Sequence, residues 1–135
     1  MNIYDTLVNS AKCYPNKVAV TALNKDITYR SLYHYASSIA NQLKRYDEKG
    51  ARVVVYLEDS IETVVSIYGI NMAGMIFVPV SPQVRDQKLQ EIVEHSNASI
   101  IITQPKLFEF VSSLIDQNPC DCKHIVLLGE DSSDD

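Results

Sequence analysis

Apolar and polar positions alternate along this chain with two different periods, and the switches between them divide it into elements. Ile3, Leu7, Val8 and Ala11 recur at spacings of three and four, which predicts a helix over 3–14. Pro15 with Asn16 ends it, because the residue before a proline is pushed out of the α region. Residues 18–22 and 26–29 are short strand-like runs either side of the polar Leu23-Asn24-Lys25, a small hairpin. Thr28 then stands where a helix N-cap is needed, and Leu32, Tyr35, Ala36, Ile39, Ala40 and Leu43 follow at helical spacing toward a stop at Gly50.

From Val53 the pattern changes. Val53-Val54-Val55-Tyr56-Leu57 is apolar without alternation, the mark of a strand covered on both faces. Asp59 and Ser60 are placed to cap a helix whose face reads Ile61, Val64, Val65, Tyr68 and Met72, widened by Ile67 and Ile70. A second apolar strand spans 75–80, a helix runs from about Arg85 to His95 around Leu89, Ile92 and Val93, and a third strand covers 99–103. Pro105 suits a first helical position ahead of Phe108, Val111, Leu114 and Ile115, and the last strand is 125–128. Strand and helix thus alternate four times. That order predicts a layered α/β fold, a mainly parallel sheet flanked by helices with right-handed crossovers.

Composition narrows the class. The chain has 135 residues, 46% hydrophobic and 21% charged, which suits one globular domain. Its net charge of -5 resides mostly in the tail: without Glu130, Asp131, Asp134 and Asp135 the body holds thirteen acids against twelve bases, or -1. Residues 1–129 therefore read as one folded portion and 130–135 as an acidic linker or tail. No basic cluster offers a footprint for nucleic acid or anionic lipid. Three cysteines, Cys13, Cys120 and Cys122, make no disulfide framework, and the start lacks a secretory pattern, so a cytoplasmic location is expected. The apolar runs fall far short of the ~20 residues that span a bilayer.

Candidate chemistry is sparse. Gly50, Gly69, Gly74 and Gly129 stand singly, whereas a phosphate cradle needs glycines gathered at a helix start, so Gly50 and Gly74 read as helix C-caps. Cys120-Asp121-Cys122-Lys123-His124 has metal-ligand residue types but no second pair to complete a tetrahedron. His34 and His95 lack an obvious partner. Glu58-Asp59-Ser60, after a strand and before a helix, could place an acid at a strand's carboxyl end, although helix capping explains it more simply. Tyr29, Tyr33, Tyr35, Tyr56 and Tyr68 read as core and rim packing. No residue of the chain is assigned a catalytic, cofactor-binding or metal-binding role.

Two stretches carry a resemblance. Ile27-Thr28-Tyr29-Arg30-Ser31-Leu32 and the helix-to-strand hinge Asn71-Met72-Ala73-Gly74-Met75-Ile76-Phe77-Val78-Pro79-Val80-Ser81-Pro82 are similar to the opening of the AMP-forming acyl-adenylating enzymes: acyl-CoA synthetases, fatty-acyl-AMP ligases and peptide-synthetase adenylation domains. Thr28, Tyr29, Leu32, Ala73, Gly74, Val78, Pro79 and Pro82 are the structural positions of those motifs. After the hinge, peptide-synthetase domains usually carry aspartate-proline and then tyrosine-proline where this chain has Ser81-Pro82-Gln83-Val84-Arg85, a departure that leans toward acyl-CoA or fatty-acyl ligases.

The resemblance implies the N-terminal portion of the acyl-adenylating large domain, from an ATP-dependent acid ligase that forms acyl-AMP and passes it to a thiol, CoA or a carrier protein. ATP and magnesium are implied for the full-length enzyme. Its phosphate loop and catalytic lysine match nothing in these 135 residues, so the chain is expected to be non-catalytic alone. The expected partner is the remainder of the enzyme, in cis or in trans, with self-association of exposed apolar strands as a second possibility. The alternative reading is a stand-alone α/β interaction module or the small half of a split ligase.

Overall fold

The computed structural model describes residues 3–22, 25–58, 61–117 and 122–129. They fall into two compact units, one drawn from residues 1–50 and 59–75 and the other from 51–58 and 76–135.

The first unit begins with α1 (Ile3–Cys13) and an antiparallel hairpin of β1 (Val18–Ala22) and β2 (Lys25–Thr28). The long helix α2 (Tyr29–Tyr46) follows at once. Thr28 is its N-cap as the sequence predicts: its backbone is extended at φ -78° and ψ 163°, and its hydroxyl accepts the Ser31 N–H at 3.2 Å. Leu32, Ala36, Ile39, Ala40 and Leu43 form the buried stripe, while Tyr35, placed in that stripe by spacing, is 54% exposed. The helix also ends earlier than Gly50. Asp47 turns extended, its own carboxylate takes the Glu48 N–H at 2.8 Å, and this local bond competes with another helical turn. Gly50 is therefore a turn residue at φ 92° and no C-cap.

Helix α3 (Ile61–Met72) packs on α2 within this unit. Of the face expected from Ile61, Val64, Val65, Tyr68 and Met72, widened by Ile67 and Ile70, Val65 and Ile70 are buried, and the deepest strip is rotated to take in Ser66 and Gly69 beside them. Gly69 explains the rotation. A Cβ there would lie 2.8 Å from Ile39 Cγ2 and 3.0 Å from the Ala36 carbonyl oxygen, so the two backbones approach where glycine leaves room. Ser66 tolerates burial because its hydroxyl donates to the Glu62 carbonyl at 2.7 Å. The end of α3 is a Schellman closure on a left-handed Gly74 at φ 74°: Gly74 N–H donates to the Asn71 carbonyl and Met75 N–H to the Ile70 carbonyl, both at 3.0 Å. Gly74 is thus the helix-ending glycine that the sequence predicts.

The second unit holds a four-stranded sheet of β3 (Arg52–Tyr56), β4 (Ile76–Pro79), β5 (Ile100–Thr103) and β6 (His124–Leu127). All neighbours run parallel, in the order β4-β3-β5-β6. The sheet is flanked by helices. Val54, Tyr56 and Ile101 share a buried cluster with Leu89 and Val93 of α4 (Asp86–Ser96) and Val111 of α5 (Phe108–Gln117). Val53, Val55, Ile100 and Ile102 on the opposite face are buried too, which accounts for the missing alternation in β3 and β5.

Strand β4 is apolar like β3 but is not covered as β3 is. It is at the sheet edge, and Ile76 and Phe77 are 49% and 37% exposed. Composition does not separate an edge strand from a central one when both are apolar. Pro105 opens the expected turn-and-helix, a 3-10 turn (Pro105–Leu107) that runs straight into α5, whereas Phe108, expected on the apolar face of α5, is 39% exposed. Helix α4 closes on a left-handed Asn97 at φ 54°, with Ala98 N–H reaching the Val93 carbonyl.

Candidate functional site

In an open parallel sheet, ligands sit outside the carboxyl ends of the strands, at the point where strand order reverses. Here the chain goes from β3 outward to β4 and then returns to place β5 on the other side of β3, so the reversal falls between β3 and β5. The residues at that edge are Tyr56, Leu57 and Glu58 after β3, and Thr103, Gln104 and Lys106 after β5.

These side chains bond to one another across the reversal point. Thr103, fully buried, donates its hydroxyl to the Tyr56 carbonyl at 2.8 Å. The Gln104 side-chain oxygen accepts the Glu58 N–H at 2.9 Å, and the Lys106 ammonium pairs with the Glu58 carboxylate. Both partners of that ion pair are about half exposed, with side-chain exposures of 57% and 52%, so it adds well under about 1 kcal/mol. Glu58 is therefore an exposed, paired acid, and Asp59 and Ser60 lie outside the described residues.

Tyr56 organises the rest of this edge. Its ring is fully buried, and its hydroxyl donates toward the Val84 carbonyl at 2.6 Å and the Pro82 carbonyl at 3.2 Å. Burial pushes the phenol above its ordinary value of 10.0; nearby Arg85 opposes the rise and Asp86 adds to it. The sequence pattern assigns Tyr56 to packing only. A tyrosine ending a valine run is the available signal, because a buried phenol needs a partner.

The family-motif positions are divided between the two units. Thr28 caps α2, Tyr29 opens it, and Leu32 is buried on its inner stripe. Ala73 and Gly74 close α3. Val78 and Pro79 belong to edge strand β4, with Pro79 opposite Val55, and Pro82 lends its carbonyl to Tyr56.

The described residues form neither a glycine-headed helix start for a phosphate nor a cluster of metal-ligand side chains. None of the four glycines heads a helix: Gly50 precedes β3, Gly69 is inside α3, Gly74 precedes β4 and Gly129 follows β6. Among the described residues no three His, Cys, Asp or Glu side chains gather where a cation could be held. Cys122 is a buried thiol that donates toward the His124 carbonyl at 3.9 Å, and Cys120 and Asp121 lie outside the described residues. His34 and His95 are exposed on their helices.

Comparison with known proteins settles the family. The profile described as AMP-binding enzyme matches residues 7–134. The chain belongs to that family. Indigoidine synthase of Dickeya dadantii (strain 3937) is 31% identical over 109 residues, covering 80% of this chain and 7% of that protein. Zwittermicin A synthase ZmaJ of Bacillus cereus is 37% identical over 102 residues, 74% of this chain and 19% of that protein. Among solved structures, the anthranilate CoA ligase AuaEII in complex with anthranoyl-AMP superposes with a TM-score of 0.87 at 25% identity, covering 96% of this chain and 25% of that one.

The chain thus spans under a fifth of the length of those two relatives. The similar proteins include a zwittermicin synthase and a CoA ligase, so the lean toward CoA or fatty-acyl ligases rests on residues 81–85 alone. The AMP-binding fold has the parallel sheet expected from the sequence, and no helix among the described residues is long and apolar enough to cross a membrane.

Proposed function

We propose that the chain is scaffold from an ATP-dependent acid ligase, the N-terminal portion of a large domain that activates a carboxylic acid as acyl-AMP for transfer to a thiol, CoA or a carrier protein. The observation that carries this reading is the shared fold, over 96% of the chain, with a ligase whose structure contains an acyl-adenylate. ATP and magnesium are the cofactors of the full-length ligase in this reading. No chemical step is assigned to a side chain of this protein. Its contribution is to hold a parallel sheet and its carboxyl edge in place. The natural partner is then the remainder of such an enzyme, in cis or in trans, and the apolar edge strand β4, with Ile76 and Phe77 exposed, is consistent with that need. Nothing in the relatives supports self-association. The expected location is the cytoplasm.

Acid-dependent exchange of pyrophosphate into ATP tests the proposal. The 135-residue chain alone is expected to show none above a buffer control with aliphatic, aromatic and amino acids, and to contribute activity only when the complementary portion of a family ligase is supplied in trans. Exchange by the chain alone would overturn the scaffold reading. Absence of any effect of the chain on such a complement would favour a stand-alone module.

A further inference from the structure

Residues 81–86, which lead from β4 into the first residue of α4, combine short local turns with contacts to elements distant in sequence. One short turn forms inside the segment, where Val84 N–H donates to the Ser81 carbonyl at 3.0 Å and Gln83 N–H to the Ser81 hydroxyl at 3.2 Å, and a second leads into α4, where Lys88 N–H donates to the Arg85 carbonyl at 3.2 Å. Arg85 stands at the N-cap of α4 and makes no side-chain capping bond, so the helix start is not tied down locally. Asp86 sits at φ 54°, a left-handed conformation that a non-glycine residue adopts at a cost. Ser81, Gln83, Arg85 and Asp86 are exposed, so among the segment's own side chains only half-buried Pro82 and Val84, the latter packed against the core cluster, give it hold.

The rest of the hold comes from β3 and α5. The Tyr56 hydroxyl reaches two carbonyls of the segment, Pro82 and Val84. The Arg85 guanidinium lies 4.7 Å from the Phe110 ring centre, and Phe110 in turn lies 6.4 Å from the Tyr56 ring at a tilt of 36°. One phenol, one cation and one ring thus form a continuous clamp, all within the second unit. The segment leaves the carboxyl end of β4, the same edge of the sheet at which ligands enter folds of this type.

We infer that residues 81–86 are a strap over the carboxyl edge of the sheet, held shut by the Tyr56 hydroxyl and the Arg85–Phe110 stack against the left-handed strain at Asp86, and able to open as a unit while β3 and β5 stay formed. Opening would expose the Tyr56 hydroxyl and the edge beside it. This does not depend on the scaffold being part of a ligase; it follows from the geometry of the segment alone.

Amide hydrogen exchange on the chain, read separately for residues 81–88 and for the β3 and β5 amides, tests it. Tyr56→Phe removes only the hydroxyl and is expected to speed exchange in 81–88 about fivefold, with the strand amides within about twofold of the parent. Asp86→Gly relieves the strain and is expected to slow the same amides by about threefold. Arg85→Met keeps an apolar stem over Phe110 without the cation, and should speed exchange roughly twofold, which keeps the test open should Tyr56→Phe fold poorly. Unchanged exchange in 81–88, or equal acceleration in β3 and β5, would show that the segment opens only with global unfolding and would overturn the inference.

Discussion

The two units make their tight places by different means. In the first, glycine permits them: Gly69 lets α2 and α3 approach, and Gly74 takes the left-handed turn that ends α3. In the second, besides Gly129 at φ 93°, left-handed positions are held by the ordinary residues Asp86 and Asn97, and the segment around Asp86 is secured by Tyr56 of β3 and by Phe110 of α5, on which its own Arg85 stacks. A glycine turn needs no help from elsewhere, since it lacks the Cβ that makes the conformation costly. A turn made by an ordinary residue is only as firm as its clamp. The first arrangement is rigid locally, whereas the second can be released by losing one distant contact.

The sharpest challenge to this contrast is Gly69→Val. The added atoms would meet Ile39 Cγ2 at 2.8 Å and the Ala36 carbonyl at 3.0 Å, and the carbonyl belongs to a helix backbone that has little room to yield. A loss of about 3 kcal/mol in urea unfolding is expected. A midpoint shift smaller than a third of that would mean that the helices separate freely and that glycine is incidental to their packing.

Gly74→Val comes next. Its φ of 74° is hostile to a β-branched residue, and its Cβ would also meet Lys49 Cγ at 2.8 Å, although a flexible lysine can move aside. The expected cost is about 2 kcal/mol, and Gly74→Asn should recover at least half of it because asparagine accepts left-handed backbone. Equal costs for valine and asparagine would place the penalty in the Lys49 contact and not in the backbone.

The smallest effect concerns the clamp in the second unit. The Tyr56 phenol is raised by burial above 10.0, so its stabilising bond is fully present below that pH and is lost as pH rises through the higher folded value. Comparing the chain with Tyr56→Phe in urea between pH 8 and 11 cancels the other alkaline titrations. A gap of about 1 kcal/mol at pH 8 should narrow above pH 10.0. A gap that stays constant across the range would show that the hydroxyl proton contributes nothing to the difference.

Much of this architecture follows from interactions only a few residues apart. The Thr28 cap reaches Ser31, the Gly74 closure joins Ile70 to Met75, and the valine run of β3 and isoleucine run of β5 need no partner to be recognised as buried strands. The expected fold class rested on these local signals and on their order. Asp47 marks a limit even at short range: its carboxylate ends α2 three residues before the glycine that appeared to do so.

What only the tertiary structure decided depends on residues far apart in the chain. The apolar runs of β3 and β4 look alike, but hydrogen-bonded neighbours place β3 inside the sheet and β4 at its edge. Gly69 acquires its meaning from Ile39, thirty residues earlier in sequence, and Tyr56 from carbonyls 26 and 28 residues later. Periodicity reports which side of an element is apolar; it carries no record of what that side, or a single hydroxyl on it, will meet once the chain has closed on itself.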